Sequence, residues 1–178
     1  MTRIVAGAAR GRRLQVPPGT TTRPTSEKVR AAIFNVLGQH FDGGVALDLY
    51  AGSGALGFEA LSRGCQRAVF VEADRRAAEA LRANAAHLGW TDRVTVHHGR
   101  VEEALARLPG GFALIFIDPP YADGPGAALA QVAPLLAPEG RCVAEHDART
   151  PPADQPVGLR LSDRRSYGGT GVSIYLRD

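Results

Sequence analysis

The sequence predicts an α/β domain built on a doubly wound, mostly parallel sheet, with an antiparallel C-terminal edge and a small basic N-terminal β-hairpin. Three observations predict it. From residue 44 onward, strand patterns alternate with helix patterns, which implies a parallel sheet covered by helices on both faces. The first of those strands runs directly into a glycine-rich turn that opens a helix, the arrangement found where open α/β sheets bind ligands. The tail breaks the alternation: two extended runs flank Gly168-Gly169-Thr170, as in a closing hairpin. With 178 residues and 44% hydrophobic content, the chain suits one ordinary domain. Its predicted division is a basic arm and linker over residues 1–22 and a main domain over 23–178.

In chain order, Arg3-Ile4-Val5 and Arg12-Arg13-Leu14-Gln15-Val16 read as two short strands joined by a turn through Gly7 to Gly11. A linker around Pro17, Pro18 and Gly19 follows. Thr25 or Ser26 then caps a helix whose apolar stripe is Val29, Ile33, Phe34 and Leu37, and Gly38 closes it. Strands are expected at 45–50, 68–71, 94–98, 113–117 and 141–145, and helices at 55–63, 75–88, 101–108 and 127–136. The closing hairpin spans 159–167 and 171–176.

Composition narrows the function classes. The first 30 residues hold seven of the 21 basic residues against Glu27 alone, a local surplus on a chain of net charge +3. A basic arm on a neutral-to-acidic body suits a polyanionic partner. No apolar run approaches the length of a membrane span, and the start has no secretory core, so a cytoplasmic location without membrane association is expected. Cys65 and Cys142 form no CxxC pair and suggest neither a disulfide nor a zinc site. His97 and His98 lack acids or cysteines at ligand spacing, so no metal is expected. His146 reads as an edge-strand residue and Trp90 as packing.

The glycine loop runs Asp48-Leu49-Tyr50-Ala51-Gly52-Ser53-Gly54-Ala55-Leu56-Gly57. Glycines there tolerate positive φ and let backbone approach a ligand closely. The spacing of Gly52, Gly54 and Gly57 also satisfies the dinucleotide fingerprint, so a nicotinamide-dependent oxidoreductase is a competing reading. Asp48 favours a ligand bearing a cationic amino group, as methionine does, because a pyrophosphate beside a carboxylate is repelled. Glu72, with Ala73 after it, ends the second strand, where its two oxygens suit the two hydroxyls of a ribose.

The fourth strand delivers Asp118-Pro119-Pro120-Tyr121 to the same sheet edge. The lone pair of an exocyclic amine on a nucleobase is delocalised into the ring. It becomes nucleophilic when acceptors such as the Asp118 carboxylate and the Pro119 carbonyl take its two hydrogens. Pro119 and Pro120 stiffen the turn, and Tyr121 offers a face for a flipped-out base.

With these motifs in this order, the chain resembles the [DNS]-P-P-[YF] amino-methyltransferases and, among them, the RsmD-type enzymes that methylate guanine N2 in small-subunit ribosomal RNA. The resemblance rests on Arg3-Ile4-Val5-Ala6-Gly7, Arg10-Gly11-Arg12-Arg13-Leu14, Arg23-Pro24-Thr25, Val29-Arg30 with Phe34-Asn35, Asp48 to Gly57 with Glu59 to Gly64, Val71-Glu72, Asp118 to Tyr121 and Tyr167-Gly168. It implies a Rossmann-like methyltransferase fold and S-adenosyl-L-methionine as donor. It further implies an acceptor in small-subunit ribosomal RNA within an assembling particle; a monomer is expected. Cofactor contacts then fall on Asp48, Tyr50, Ala51, Gly52, Ser53, Gly54, Glu72, Ala73, Arg100, Val101 and Asp118, and catalysis on Asp118 to Tyr121. RNA contacts fall on Arg10, Arg12, Arg13 and Arg23, joined by Arg164 and Arg165 of the closing hairpin. The chain departs from the pattern at Gly169, at Glu27, Lys28 and Ala31, and at Arg100, where relatives place Asp or Asn toward the adenine. Backbone groups near Arg100 and Val101 are expected to take that role. The D-P-P-Y turn alone also fits adenine N6 methylation, and a non-catalytic RNA-binding assembly factor is the reading in which the arm alone acts.

Overall fold

The computed structural model describes residues 2–17 and 26–178. Strands β1 (Thr2–Arg3) and β2 (Arg13–Leu14) form a minimal antiparallel pair. Helix α1 (Glu27–Leu37) follows; Ser26 caps it by accepting the Val29 N–H at 3.2 Å, and Val29, Ile33, Phe34 and Leu37 are buried. The alternating region comprises β3 (Val45–Leu49), α2 (Ala55–Ser62), β4 (Arg67–Glu72), α3 (Arg75–Leu88), β5 (Val94–His98), α4 (Val101–Leu105), β6 (Phe112–Ile117) and α5 (Gly126–Val132). The chain closes with β7 (Leu136–Asp147), β8 (Leu159–Tyr167) and β9 (Thr170–Arg177).

The seven-stranded sheet has the order β5-β4-β3-β6-β7-β9-β8; its first five strands are parallel, and β9 is antiparallel to both neighbours. This is the doubly wound sheet with an antiparallel edge that the sequence predicts. From β3 the chain winds outward through β4 and β5, then returns to β6 on the other side. The crevice opens between β3 and β6, where the winding reverses. Leu47, Leu49, Ile115, Ile117, Cys142 and Ala144 pack on one face of the sheet. Ala46, Leu114, Phe116 and Val143 pack on the other, against Val29, Phe34 and Leu56 of α1 and α2.

The predicted helix at 127–136 is shorter than expected. It gives way to a 3-10 turn at Ala133–Leu135, and the chain is already in β7 at Leu136, five residues ahead of the predicted strand. A register shift opposite Phe112 and Leu114 absorbs the added residues. His146 is not on an edge strand. β7 lies between β6 and β9, and His146 is buried. Arg164 Nε donates to Ser173 Oγ at 2.9 Å, which leaves the serine proton for His146 Nε2 at 2.9 Å, while His146 Nδ1 donates to the Asp147 carbonyl at 2.8 Å. Burial, chiefly, lowers the His146 pKa.

Past its two-residue strands the predicted N-terminal hairpin continues at Ile4, which donates to the Arg12 carbonyl at 2.9 Å and accepts the Gly11 N–H at 2.8 Å, while α2 binds N–H groups of the turn between them. Glu59 accepts the Val5 N–H at 2.8 Å and the Ala6 N–H at 2.9 Å. Ser62 accepts the Ala8 N–H through its carbonyl and the Ala9 N–H through its hydroxyl, at 2.8 and 3.0 Å. Gly7 lies so close to α2 that a Cβ there would come 1.9 Å from the Ser62 carbonyl oxygen. Ile4, Ala9 and Leu14 are buried against Phe58, Leu61, Phe70 and Leu81. Residues 2–17 are therefore docked on the sheet's helical layer. Among the described residues, no helix is long and apolar enough to cross a membrane.

Candidate active site

Strand β3 is apolar on both faces until Asp48, and the chain then turns through Tyr50, which holds a φ of 58°, with Gly52 at 54° and Gly54 at 75°. A left-handed tyrosine is strained, and such strain collects at functional turns. Gly54 caps α2, and a Cβ there would meet Leu81 Cδ2 at 2.5 Å. Gly57 lets α2 lie on β4, since a Cβ would come 2.4 Å from the Phe70 ring. The loop thus needs its glycines both for φ and for close packing.

Asp48 is 2% exposed, and its Oδ2 accepts the Gly57 N–H at 2.9 Å. Burial pushes its pKa well above the ordinary carboxylate value, the charges of Asp118 and Glu72 push it further, and the Gly57 N–H opposes them. Glu72 closes the glycine loop from the neighbouring strand: its Oε2 accepts the Gly52 N–H at 2.7 Å and its Oε1 the Asp74 N–H at 2.8 Å. Each carboxylate oxygen keeps a further lone pair for a ligand. Asp118 and Glu72 lie near enough to Asp48 for their charges to act on it, so this end of the sheet disfavours anions and favours cations.

A cavity of about 820 Å³ opens at that end of the sheet, within the range of small-molecule sites. It brings Asp48, Tyr50, Ala51, Gly52 and Ser53 together with Asp118, Pro119, Pro120 and Tyr121, as the sequence predicts. Gly54, Glu72, Ala73, Arg100 and Val101 are not on its wall. Val101 is buried with Leu105 in the core, and Arg100 is exposed, paired with Glu102 at 3.5 Å, on a separate cleft of about 230 Å³ shared with His97 and His98. The sequence reading missed part of the opposite wall: Glu145 at the end of β7, and Tyr167 to Thr170 at the β8–β9 turn. The Tyr121 hydroxyl lies 3.2 Å from Thr170 Oγ1, which ties the D-P-P-Y turn to that hairpin. The signal for Glu145 was present, an acid ending a strand as Asp118 follows another. The pairing that brings the two strands side by side was not.

Of the predicted RNA-contacting residues, Arg10, Arg12 and Arg13 are exposed, and Arg12 Nη2 donates to the His87 carbonyl at 2.7 Å. Arg23 lies outside the described residues. Arg165 is exposed beside Asp163 at 2.9 Å. Arg164 is instead engaged inside the protein, donating to Ser173, to Asp154 at 2.8 Å and to the Pro152 carbonyl at 2.7 Å. Its guanidinium holds the C-terminal hairpin to the loop before it, which leaves it poorly placed for phosphate.

The fold, the glycine loop with its acidic floor, and the D-P-P-Y turn on one cavity define a Rossmann-like methyltransferase. The chain belongs to the family described as Conserved hypothetical protein 95, whose model matches residues 2–176. It is 41% identical over 179 residues to YlbH of Bacillus subtilis (strain 168), named as a candidate rRNA methyltransferase, with 97% of each chain covered. It is 38% identical over 122 residues to Ribosomal RNA small subunit methyltransferase D of Escherichia coli (strain K12), a stretch covering 68% of this chain and 61% of that protein. Among solved structures, the candidate methyltransferase yhhF from Escherichia coli superposes with a TM-score of 0.85 at 31% identity, over 99% of this chain and 98% of that one. The resemblance to RsmD-type enzymes read from the motifs holds.

Proposed function

We propose that this protein methylates the exocyclic N2 of a guanine in small-subunit ribosomal RNA, acting as a monomer in the cytoplasm on an assembling subunit. The observation that carries the reading is the meeting of the glycine loop and Asp118-Pro119-Pro120-Tyr121 on one cavity with an acidic floor. The names of YlbH and of methyltransferase D support an RNA acceptor. The same acidic floor disfavours a dinucleotide pyrophosphate and with it the oxidoreductase reading.

When bound, S-adenosylmethionine supplies an electrophilic methyl group on a sulfonium. In this reading Asp48 and the loop from Tyr50 to Gly54 hold the cationic methionine end, and Glu72 with Ala73 faces the ribose. Backbone groups at Arg100 and Val101 would border the adenine only where it reaches beyond the cavity wall toward the cleft at His97 to Arg100. The Asp118 carboxylate and the Pro119 carbonyl accept the two amine hydrogens, which draws the nitrogen toward tetrahedral geometry and aims its lone pair along the line of transfer. The bound donor would supply the methyl group to that nitrogen, and the Asp118 carboxylate on the cavity wall would accept the proton the amine gives up. Tyr121 stacks on the base. Arg10, Arg12, Arg13, Arg23 and Arg165 meet phosphates, residues 1–22 acting as the gripping arm.

The test is nucleoside mass spectrometry after incubation with unmethylated small subunits, alongside calorimetry with S-adenosylhomocysteine and with NAD. N2-methylguanosine and binding of S-adenosylhomocysteine alone are expected. N6-methyladenosine would refute the acceptor, and binding of NAD the cofactor.

A further inference from the structure

The cavity holds a second acid on its acceptor side. Strands β6 and β7 pair in parallel with Ile117 opposite Ala144, so the next residues along, Asp118 and Glu145, stand side by side. Val143 and Phe116 share the sheet face that α1 and α2 cover, and side chains two residues apart on a strand share a face. Glu145 therefore projects on the same face as Asp118, about one strand spacing of 4.8 Å further from the glycine loop. It is 5% exposed and lines the cavity.

Position and chemistry together suit one task. A carboxylate accepts hydrogen bonds and donates none. The Watson–Crick edge of guanine carries an N1–H beside its N2 amine, two adjacent donor groups. Adenine carries an amine beside a ring nitrogen with a lone pair, which a carboxylate repels. One carboxylate at the amine and a second at the neighbouring ring position match guanine and reject adenine.

We propose that Glu145 is the specificity-determining residue of this site, accepting the guanine N1–H while Asp118 engages the N2 amine. The assignment rests on the guanine-N2 reading above. A site built around a substrate's N–H discriminates strongly against an analogue that lacks it, because the buried acceptor is then left facing a lone pair.

The experiment uses small subunits reconstituted on RNA carrying either guanine or 2-aminopurine at the target. 2-Aminopurine keeps the amine but has no N1–H. The wild-type protein is expected to prefer guanine by about 10-fold or more in kcat/KM. Glu145→Gln can donate to the bare ring nitrogen, so it should lose rate on guanine, hold or gain rate on 2-aminopurine, and abolish the preference. Glu145→Asp, which keeps the acceptor, should retain the preference at reduced kcat/KM. Comparing both substrates across both proteins cancels the missing O6 of 2-aminopurine. Affinity for S-adenosylhomocysteine and the melting temperature should stay at wild-type values. Equal rate losses on both substrates, or an unchanged preference in Glu145→Gln, overturn the assignment while leaving the guanine reading intact. Failure of the wild-type protein to form N2-methylguanosine overturns both.

Discussion

Replacing Glu59 by Gln should destabilise the protein far more than replacing any surface acid. Glu59 is fully buried and accepts from Val5, Ala6 and Arg63 Nε at 2.8–2.9 Å, and its Oε2 lies 3.4 Å from Arg30 Nε. Arg30 is itself fully buried, donates through Nη2 to the Arg3 carbonyl, and has no hydrogen-bond partner at Nε or Nη1 among the described residues. Its charge is tolerated because Glu59 neutralises it, and burial already lowers its pKa. An amide keeps one acceptor oxygen for three donors and removes the counter-charge from two buried guanidiniums. Breaking a buried pair on one side costs about 3–5 kcal/mol. At about 2–4 °C per kcal/mol for a chain of this size, the melting temperature should fall by about 6–20 °C. Arg75 and Glu79 form an exposed pair at 3.0 Å, so Glu79→Ala should stay within about 0.5 kcal/mol of wild type. Circular dichroism melts and urea titrations measure both. Because Glu59 also holds Val5 and Ala6, cleavage by a protease specific for arginine should begin in the arm of Glu59→Gln. A melting temperature equal to that of Glu79→Ala would refute the latch.

Asp118→Ala should abolish transfer while leaving S-adenosylhomocysteine affinity near wild type by calorimetry; equal losses in both would sink its role at the amine. Asp48 has a folded-state pKa above its ordinary 3.8, so its contribution to stability is present below that value and is lost as pH rises through the folded-state value. Asp48→Asn in the cofactor-free protein should therefore show a melting temperature advantage that grows as pH rises above 3.8, and an advantage independent of pH would contradict this. Arg10, Arg12 and Arg13 replaced together by Ala should make the salt dependence of RNA binding shallower by about 2 in logarithmic slope if all three meet phosphate, with cofactor affinity unchanged. A slope equal to that of wild type would mean that these arginines serve solubility alone.

The sequence by itself determined the elements whose cause is local. Alternating apolar runs mark β3 to β6, a serine caps α1, and glycines at fixed offsets mark the positions where positive φ or a close approach is required. Asp48, Glu72 and Asp118 were legible because each stands at a strand end, and strand ends of a parallel sheet gather on one edge. Tertiary structure decided the rest. Spacing along the chain does not say that β9 inserts between β7 and β8, that β7 lies beside β6, or that α2 faces the arm. Those neighbours turn Glu145 toward the cavity, bring Thr170 to Tyr121, draw Arg164 inward and make Glu59 a latch for residues five and six. A buried polar side chain takes its role from partners that lie far away in sequence, and only the packing of the whole sheet brings those partners within hydrogen-bonding distance.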